Sequence, residues 1–191
     1  MELPRHTWLG SRHDQLRAGD LDGFRLWAVG NLVDNLGRGM YAEWLVGQAL
    51  GVVEPAKPRI EWDSADLRYR DCLVEVKAGG RSQSWPQERP SVVRFDIARR
   101  QQSWDAVTNE WESFDEPRRV AHVYVFCHHT PEDATNENVA DPNRWEFWVV
   151  ATTTLNTEVG DQKSIGTGRL STIADPVNWD NLRNTVDQAI N

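Results

Sequence analysis

Cysteine is scarce in this chain, with only Cys72 and Cys127 among 191 residues. Each lies in an apolar, strand-like run, which argues against a disulfide framework and for buried free thiols in a reducing cytoplasm. No apolar run approaches the roughly 20 residues of a membrane helix, and the opening stretch has no apolar segment behind a basic one, so neither membrane insertion nor export is expected. Internal repeats and low-complexity tracts are missing too, which sets aside solenoids and linker-rich architectures. Positive charge is in deficit, with a net charge of -8. That argues against a protein that holds nucleic acid by bulk attraction, because phosphate contact needs positive charge where the surfaces meet. The deficit is uneven. Residues 57–100 hold ten Lys/Arg against seven Asp/Glu, a local +3 that leaves -11 for the rest.

What is present fits one well-buried domain spanning 1–191, with a bulky core promised by ten tryptophans. A helical part is expected over 20–51. Its first helix covers 21–36, with Phe24, Ala28 and Leu32 at helical spacing, and Gly37 and Gly39 end it. In the second, over 40–50, Ala42, Leu45, Val46, Ala49 and Leu50 follow the i, i+3, i+4 pattern up to Gly51. Glu43 falls at the edge of that apolar face. Pro55 and Pro58 break the chain, and short strands follow within 59–77, the last two forming a hairpin. Residues 91–97 read as a strand, and 98–118 are polar and ambiguous. The β-branched and aromatic runs 120–127 and 145–151 read as strands across a polar loop at 128–144. Trp179, Leu182, Val186 and Ile190 share one face of a closing helix over 178–190.

The chemistry is concentrated between Trp62 and Ala78. Glu75 and Lys77 alternate with Val74 and Val76, so on a strand the two polar side chains leave one face and the valines enter the other. If Arg70-Asp71 centres an even-length turn, Asp66 lies opposite Glu75 on that face. A three-residue turn centred on residue 69 would bring Asp63 there instead, and neither turn contains a glycine to fix its type. Two carboxylates roughly 5 Å apart at Cβ repel unless positive charge sits between them, which a hard divalent ion with oxygen ligands supplies. Lys77 beside them can orient a water or stabilise charge on a phosphate. The alternative is a solvated hairpin face with ordinary ion pairing.

Asp66, eight intervening residues and then Glu75-Val-Lys77 resemble the signature of the PD-(D/E)XK nuclease superfamily, the fold of many restriction enzymes. The resemblance covers residues 39–151 in outline and departs from the pattern in having Ala65, not Pro, before the aspartate. It implies an α/β domain with a restriction-endonuclease-like core, a mixed central sheet flanked by helices. It also implies that Asp66 and Glu75 bind Mg²⁺ or Mn²⁺, that Lys77 assists the attacking water, and that Glu43 joins from the preceding helix. The polar run from Gln83 to Gln87 resembles the segment in which a glutamine supports the metal site or touches DNA, which makes Gln83 a candidate.

Arg81, Arg89, Arg94, Arg99 and Arg100 are the candidate DNA contacts, while Trp85, Trp104 and Trp111 could stack on bases. His128 and His129 lack a second Cys/His pair to complete a zinc site and read as a solvent-facing loop pair. The expectation is therefore a metal-dependent DNA endonuclease of restriction type, acting as a homodimer that matches the two-fold symmetry of the duplex. Three rivals remain: the same chemistry in repair, recombination or as a toxin; a non-enzymatic binding module of the same fold; and a carboxylate-based glycosidase, which would not need the lysine.

Overall fold

A computed structural model describes residues 20–55, 57–59 and 63–191. Most of the strand expected at 59–62 falls outside these. The chain divides into two compact units, Met1–Asn31 and Leu32–Asn191. The described part of the first is dominated by helix α1, Asp20–Val29, which stops short of the expected 36. The Gly30 amide donates to Leu26 O at 2.8 Å and closes its last turn.

The second unit runs α2 (Asn35–Leu50), β1 (Leu67–Tyr69), β2 (Cys72–Gly80), β3 (Arg94–Asp96), β4 (Arg100–Asp105), β5 (Glu110–Arg118) and β6 (Val123–His129). It continues with α3 (Asn136–Val139), a 3-10 turn (Pro142–Arg144), β7 (Trp145–Ala151), α4 (Thr152–Val159), β8 (Ser164–Gly166), α5 (Thr167–Leu170) and α6 (Trp179–Ala189). Four strands form the main sheet in the order β1-β2-β6-β7. The β2/β6 pair is parallel and the β1/β2 and β6/β7 pairs antiparallel, so the sheet is mixed and the fold is α/β.

Alternation along these strands builds two cores, one on each face. On one side Val74, Val76, Val123, Val125, Phe147 and Val149 meet Ala42, Leu45 and Val46 of α2 and Leu182 and Val186 of α6. The indole N–H of Trp179 donates to Leu45 O at 3.0 Å, and Tyr69 Oη bonds Asp187 at 2.9 Å, so α6 is tied both to α2 and to the sheet edge. On the other side Tyr124, Phe126, Trp148 and Val150 pack against Phe95, Leu155, Ile165 and Leu170. Burying each such side chain is worth roughly 1.5–3 kcal/mol, so both faces contribute to holding the sheet.

Gly37 and Gly39 do not end a helix; they lie in the first turns of α2. The Asp34 carboxylate accepts from the Gly37 amide at 2.6 Å and starts the helix there, and this cap outweighs the glycines' low helix propensity. Gly51 ends α2 in the left-handed region at φ 73, as its position predicts. Of the strand expected at 91–97, only Arg94–Asp96 pairs, with β8. The ambiguous stretch 98–118 is the hairpin β4/β5, and 128–144 is not a plain loop, since it holds α3 and the 3-10 turn. Cys127 is buried as expected, but Cys72 is only half-buried, and both are free thiols. Among the described residues no helix is long and apolar enough to cross a membrane.

Candidate active site

The hairpin has the register that an even-length turn requires: Leu67 pairs with Val74, Arg68 with Leu73 and Tyr69 with Cys72, around Arg70-Asp71. Arg70 takes φ 54, so a non-glycine residue makes the left-handed bend that the sequence left unmarked. Continuing the ladder by one residue brings Asp66 opposite Glu75. Asp66 lies just before β1, where its Oδ2 accepts from the Val76 amide at 2.7 Å. Glu75 and Lys77 occupy the middle of β2, just past the residues that pair with β1, beside Tyr124 and Phe126 of the parallel partner β6.

Glu75 is buried, with only 5% of its side chain exposed, and its Oε1 accepts from Lys77 Nζ at 2.6 Å and from Arg100 Nη2 at 2.8 Å. Two cations on one carboxylate oxygen compensate its desolvation. Burial pushes the Asp66 carboxyl up from its ordinary value and the Glu75 charge pushes it further; the Val76 amide, Lys77 and Arg100 pull it back. Glu43 on α2 is raised to about 7, first by burial and then by Asp66, against the opposing pull of Arg59 and Lys77. Arg59 Nη2 lies 2.8 Å from Glu43 Oε2. The electrostatic ties thus link Glu43, Asp66, Glu75 and Lys77. Glu43, Arg59, Asp63, Asp66 and Arg68 also line a cavity of about 440 Å³ between α2 and the hairpin.

Asp63 behaves differently. Burial pushes it up, but its bonds from Arg68 and from the Ala106 and Ser64 amides win and hold it at about 2. Arg68 reaches Oδ2 and Oδ1 at 2.8 Å each, and the two amides add bonds to Oδ1 at 3.1 and 2.7 Å. Its oxygens are occupied in tying the segment before β1 to the end of the β4/β5 hairpin, which Arg68 also reaches through Asp105 at 3.0 Å.

Gln83 lies apart from the carboxylates in its contacts. It bonds Gly80 O at 3.3 Å and Ser91 Oγ at 3.5 Å, and its amide N–H donates to Gln87, so it braces its own loop. Arg100 joins the site. Arg99 pairs with Asp161 at 2.9 Å, Arg89 is exposed in the loop before β3, and Arg81 and Arg94 line a second groove. Trp85 is exposed, while Trp104 and Trp111 pack on each other across the hairpin at 5.6 Å.

The reading of His128 and His129 as a solvent-facing loop pair is overturned, because both belong to β6. Successive residues point to opposite faces, so His129 is buried against Trp145 while His128 lies over Trp148. Burial holds His129 down at about 4, and it is neutral at pH 7. Two neighbours of the site escaped the sequence reading. Arg59, the partner of Glu43, stands in a proline-broken stretch with no periodicity. Tyr124, in register with Glu75, is raised to about 12 by burial and then by the Glu75 charge, but in the sequence it is one aromatic in an apolar strand.

Comparison of the chain with protein-family models, curated proteins and solved structures gives no match.

Among the described residues no three His, Cys, Asp or Glu side chains form a group that could cage a metal. The donors present are the hard carboxylate oxygens of Asp66 and Glu75; burial raises Asp66 and the Glu75 charge raises it further. Such donors fit a divalent ion that completes its coordination with water and substrate oxygens, and they do not fit a soft thiolate-bound metal.

Proposed function

We propose that the chain is a Mg²⁺- or Mn²⁺-dependent DNA endonuclease of restriction type, with the restriction-endonuclease-like core of the PD-(D/E)XK superfamily. The observation that carries this reading is the juxtaposition of Lys77 Nζ, 2.6 Å from Glu75 Oε1, with the Asp66 carboxyl, which is tied to the Val76 amide at 2.7 Å and raised by burial and then by the Glu75 charge. An ordinary surface ion pair does not call for a second carboxylate buried beside the first.

In this reading Asp66 and Glu75 hold the ion, which supplies positive charge at the scissile phosphate. Lys77 donates from its ammonium to the attacking water and faces the charge that builds on the phosphate oxygens. Glu43, raised to about 7, is suited to take up a proton from that water near neutral pH. Arg100 balances the Glu75 charge until substrate arrives. Two copies of the chain cut the two strands of a duplex, in the cytoplasm, where foreign DNA is met.

The test is incubation with plasmid and phage DNA, methylated and unmethylated, with and without Mg²⁺ or Mn²⁺. Discrete fragments or a ladder only with the ion are expected. Cleavage undiminished in excess chelator would reject the metal assignment, and intact DNA under every condition would reject the nuclease reading.

A further inference from the structure

The sheet face that carries Glu75 and Lys77 continues into groups that phosphodiester cleavage does not use. In the parallel pairing of β2 with β6, Gly79 stands beside His128 as Lys77 stands beside Phe126. Paired residues share a face, so His128 lies one two-residue step, roughly 7 Å, further along than Lys77. Gly79 permits a close approach here, since a Cβ on it would meet Val93 Cγ1 at 2.8 Å, and the same segment brings Arg94 to the strand end.

There a groove of about 510 Å³ is lined by Arg81, Arg94, Arg169, Thr167 and His128, and none of its lining residues is acidic. In a chain of net charge -8 this is a concentrated exception. Arg81 and Arg169 are each held by one acid, Glu132 and Glu158, at 2.8 Å and stay half-exposed, while Arg94 has no ion pair among the described residues. The His128 ring is 13% exposed; Glu146 Oε2 stands 3.6 Å from Nδ1 as a long ion-pair partner, and Nε2 has no hydrogen-bond partner. A ring nitrogen buried without a partner is unfavourable unless a ligand supplies one.

We propose that this groove is a second phosphate-binding site, taking a backbone phosphate of the same DNA strand whose scissile phosphate lies at Lys77. Arg94 and Arg169 supply the charge and His128 a ring nitrogen. The proposal rests on the nuclease reading for the identity of the strand. Phosphates along one strand are spaced roughly 3.4 Å apart along the helix axis, so a strand held at Lys77 presents another phosphate within reach of the groove. Gripping two phosphates fixes the direction and register in which the strand crosses the carboxylates.

The test uses the Lys77→Ala protein with Mg²⁺, so that DNA remains uncut, and a labelled duplex of roughly 20 bp titrated at several salt concentrations. Arg94→Ala combined with Arg169→Ala changes two exposed side chains, and His128→Gln is examined separately, with thermal melting as the check on folding. The expected result is binding weaker by roughly 5- to 20-fold in the double variant, with a log K against log salt slope smaller by about 1–2. Unchanged affinity and slope in both variants would overturn the proposal. A second arm titrates AMP and inorganic phosphate. If these raise the melting temperature of the parent but not of the double variant, while duplex binding is equal in both, the groove takes a free phosphate monoester and the strand assignment is overturned. Weakened binding by the variants with no cleavage by the native protein defeats the nuclease reading alone. Cleavage with unaltered variant binding defeats the groove alone.

Discussion

Replacing Glu43 with Gln should make the protein more stable above neutral pH while impairing cleavage. Burial and the nearby Asp66 raise the Glu43 carboxyl from 4.5 to about 7 despite its pairing with Arg59. The folded state therefore binds this proton more tightly than the unfolded chain. The resulting stability is fully present below pH 4.5, and it is lost as pH rises through about 7. At ~1.4 kcal/mol per pH unit the whole span is worth roughly 3 kcal/mol. With 19% of the side chain exposed, solvent screening reduces this to about 2 kcal/mol. Gln keeps the shape and does not titrate, so relative to it the native protein should lose about 2 kcal/mol between pH 4.5 and 8. For a chain of this length that corresponds to roughly 4–8 °C in melting temperature. Urea unfolding of both proteins across this pH range is the assay. A stability difference that does not change with pH would refute the raised Glu43 carboxyl and with it the burial, next to Asp66, that raises it. Mg²⁺ should narrow the difference at pH 8, because positive charge at Asp66 favours ionised Glu43.

Lys77→Ala should leave folding and DNA binding largely intact and remove cleavage, because its ammonium acts mainly on the transition state; turnover at the native rate would reject that role. Asp66→Asn should abolish ion-dependent cleavage, whereas Asp63→Asn should only reduce it while lowering stability by roughly 1–3 kcal/mol, because an amide NH2 in place of Oδ2 cannot accept from Arg68 Nε and the charge facing the guanidinium is gone. The reverse ranking in side-by-side digests would mean that Asp63 is the metal ligand. Sedimentation should show a dimer on DNA, and a monomer both free and bound would count against paired cutting.

The parts of the fold that were legible in the sequence are those whose burial leaves a mark on composition or period. The end of α2 and α6 carry apolar residues at helical period, and β6 and β7 are β-branched and aromatic runs buried on both faces; of the two hairpin turns the sequence left open, the one centred on Arg70-Asp71, which the spacing of the resemblance favours, is the one formed. The β4/β5 hairpin did not declare itself because most of its residues are exposed, with only Ser103 and Phe114 buried and Trp104 and Asp105 half-buried, so no alternation marks it. The start of α2 was misplaced because two glycines carried more weight than the Asp34 cap. In the site, the local spacing of Asp66, Glu75 and Lys77 could be read directly. Arg59, Arg68 and Tyr124 could not be given roles, since their partners are set by tertiary contacts that no short window contains.

The unequal anchoring of the two carboxylates has a dynamic consequence. Glu75 and Lys77 sit within the seven-residue stretch of β2 that pairs with β6 in the middle of the sheet, whereas Asp66 hangs from the end of a three-residue strand at the sheet's edge. In a folded protein, a short edge opens at a small fraction of the free energy that separates a central strand from its neighbours. Amide exchange at 66–69 should therefore be faster than at Glu75 and Lys77, and the acid pair can come apart without the domain unfolding. Anything that pulls on that edge, whether a bound partner or a substitution near Arg68, would act as a switch on the carboxylates while the lysine stays in place.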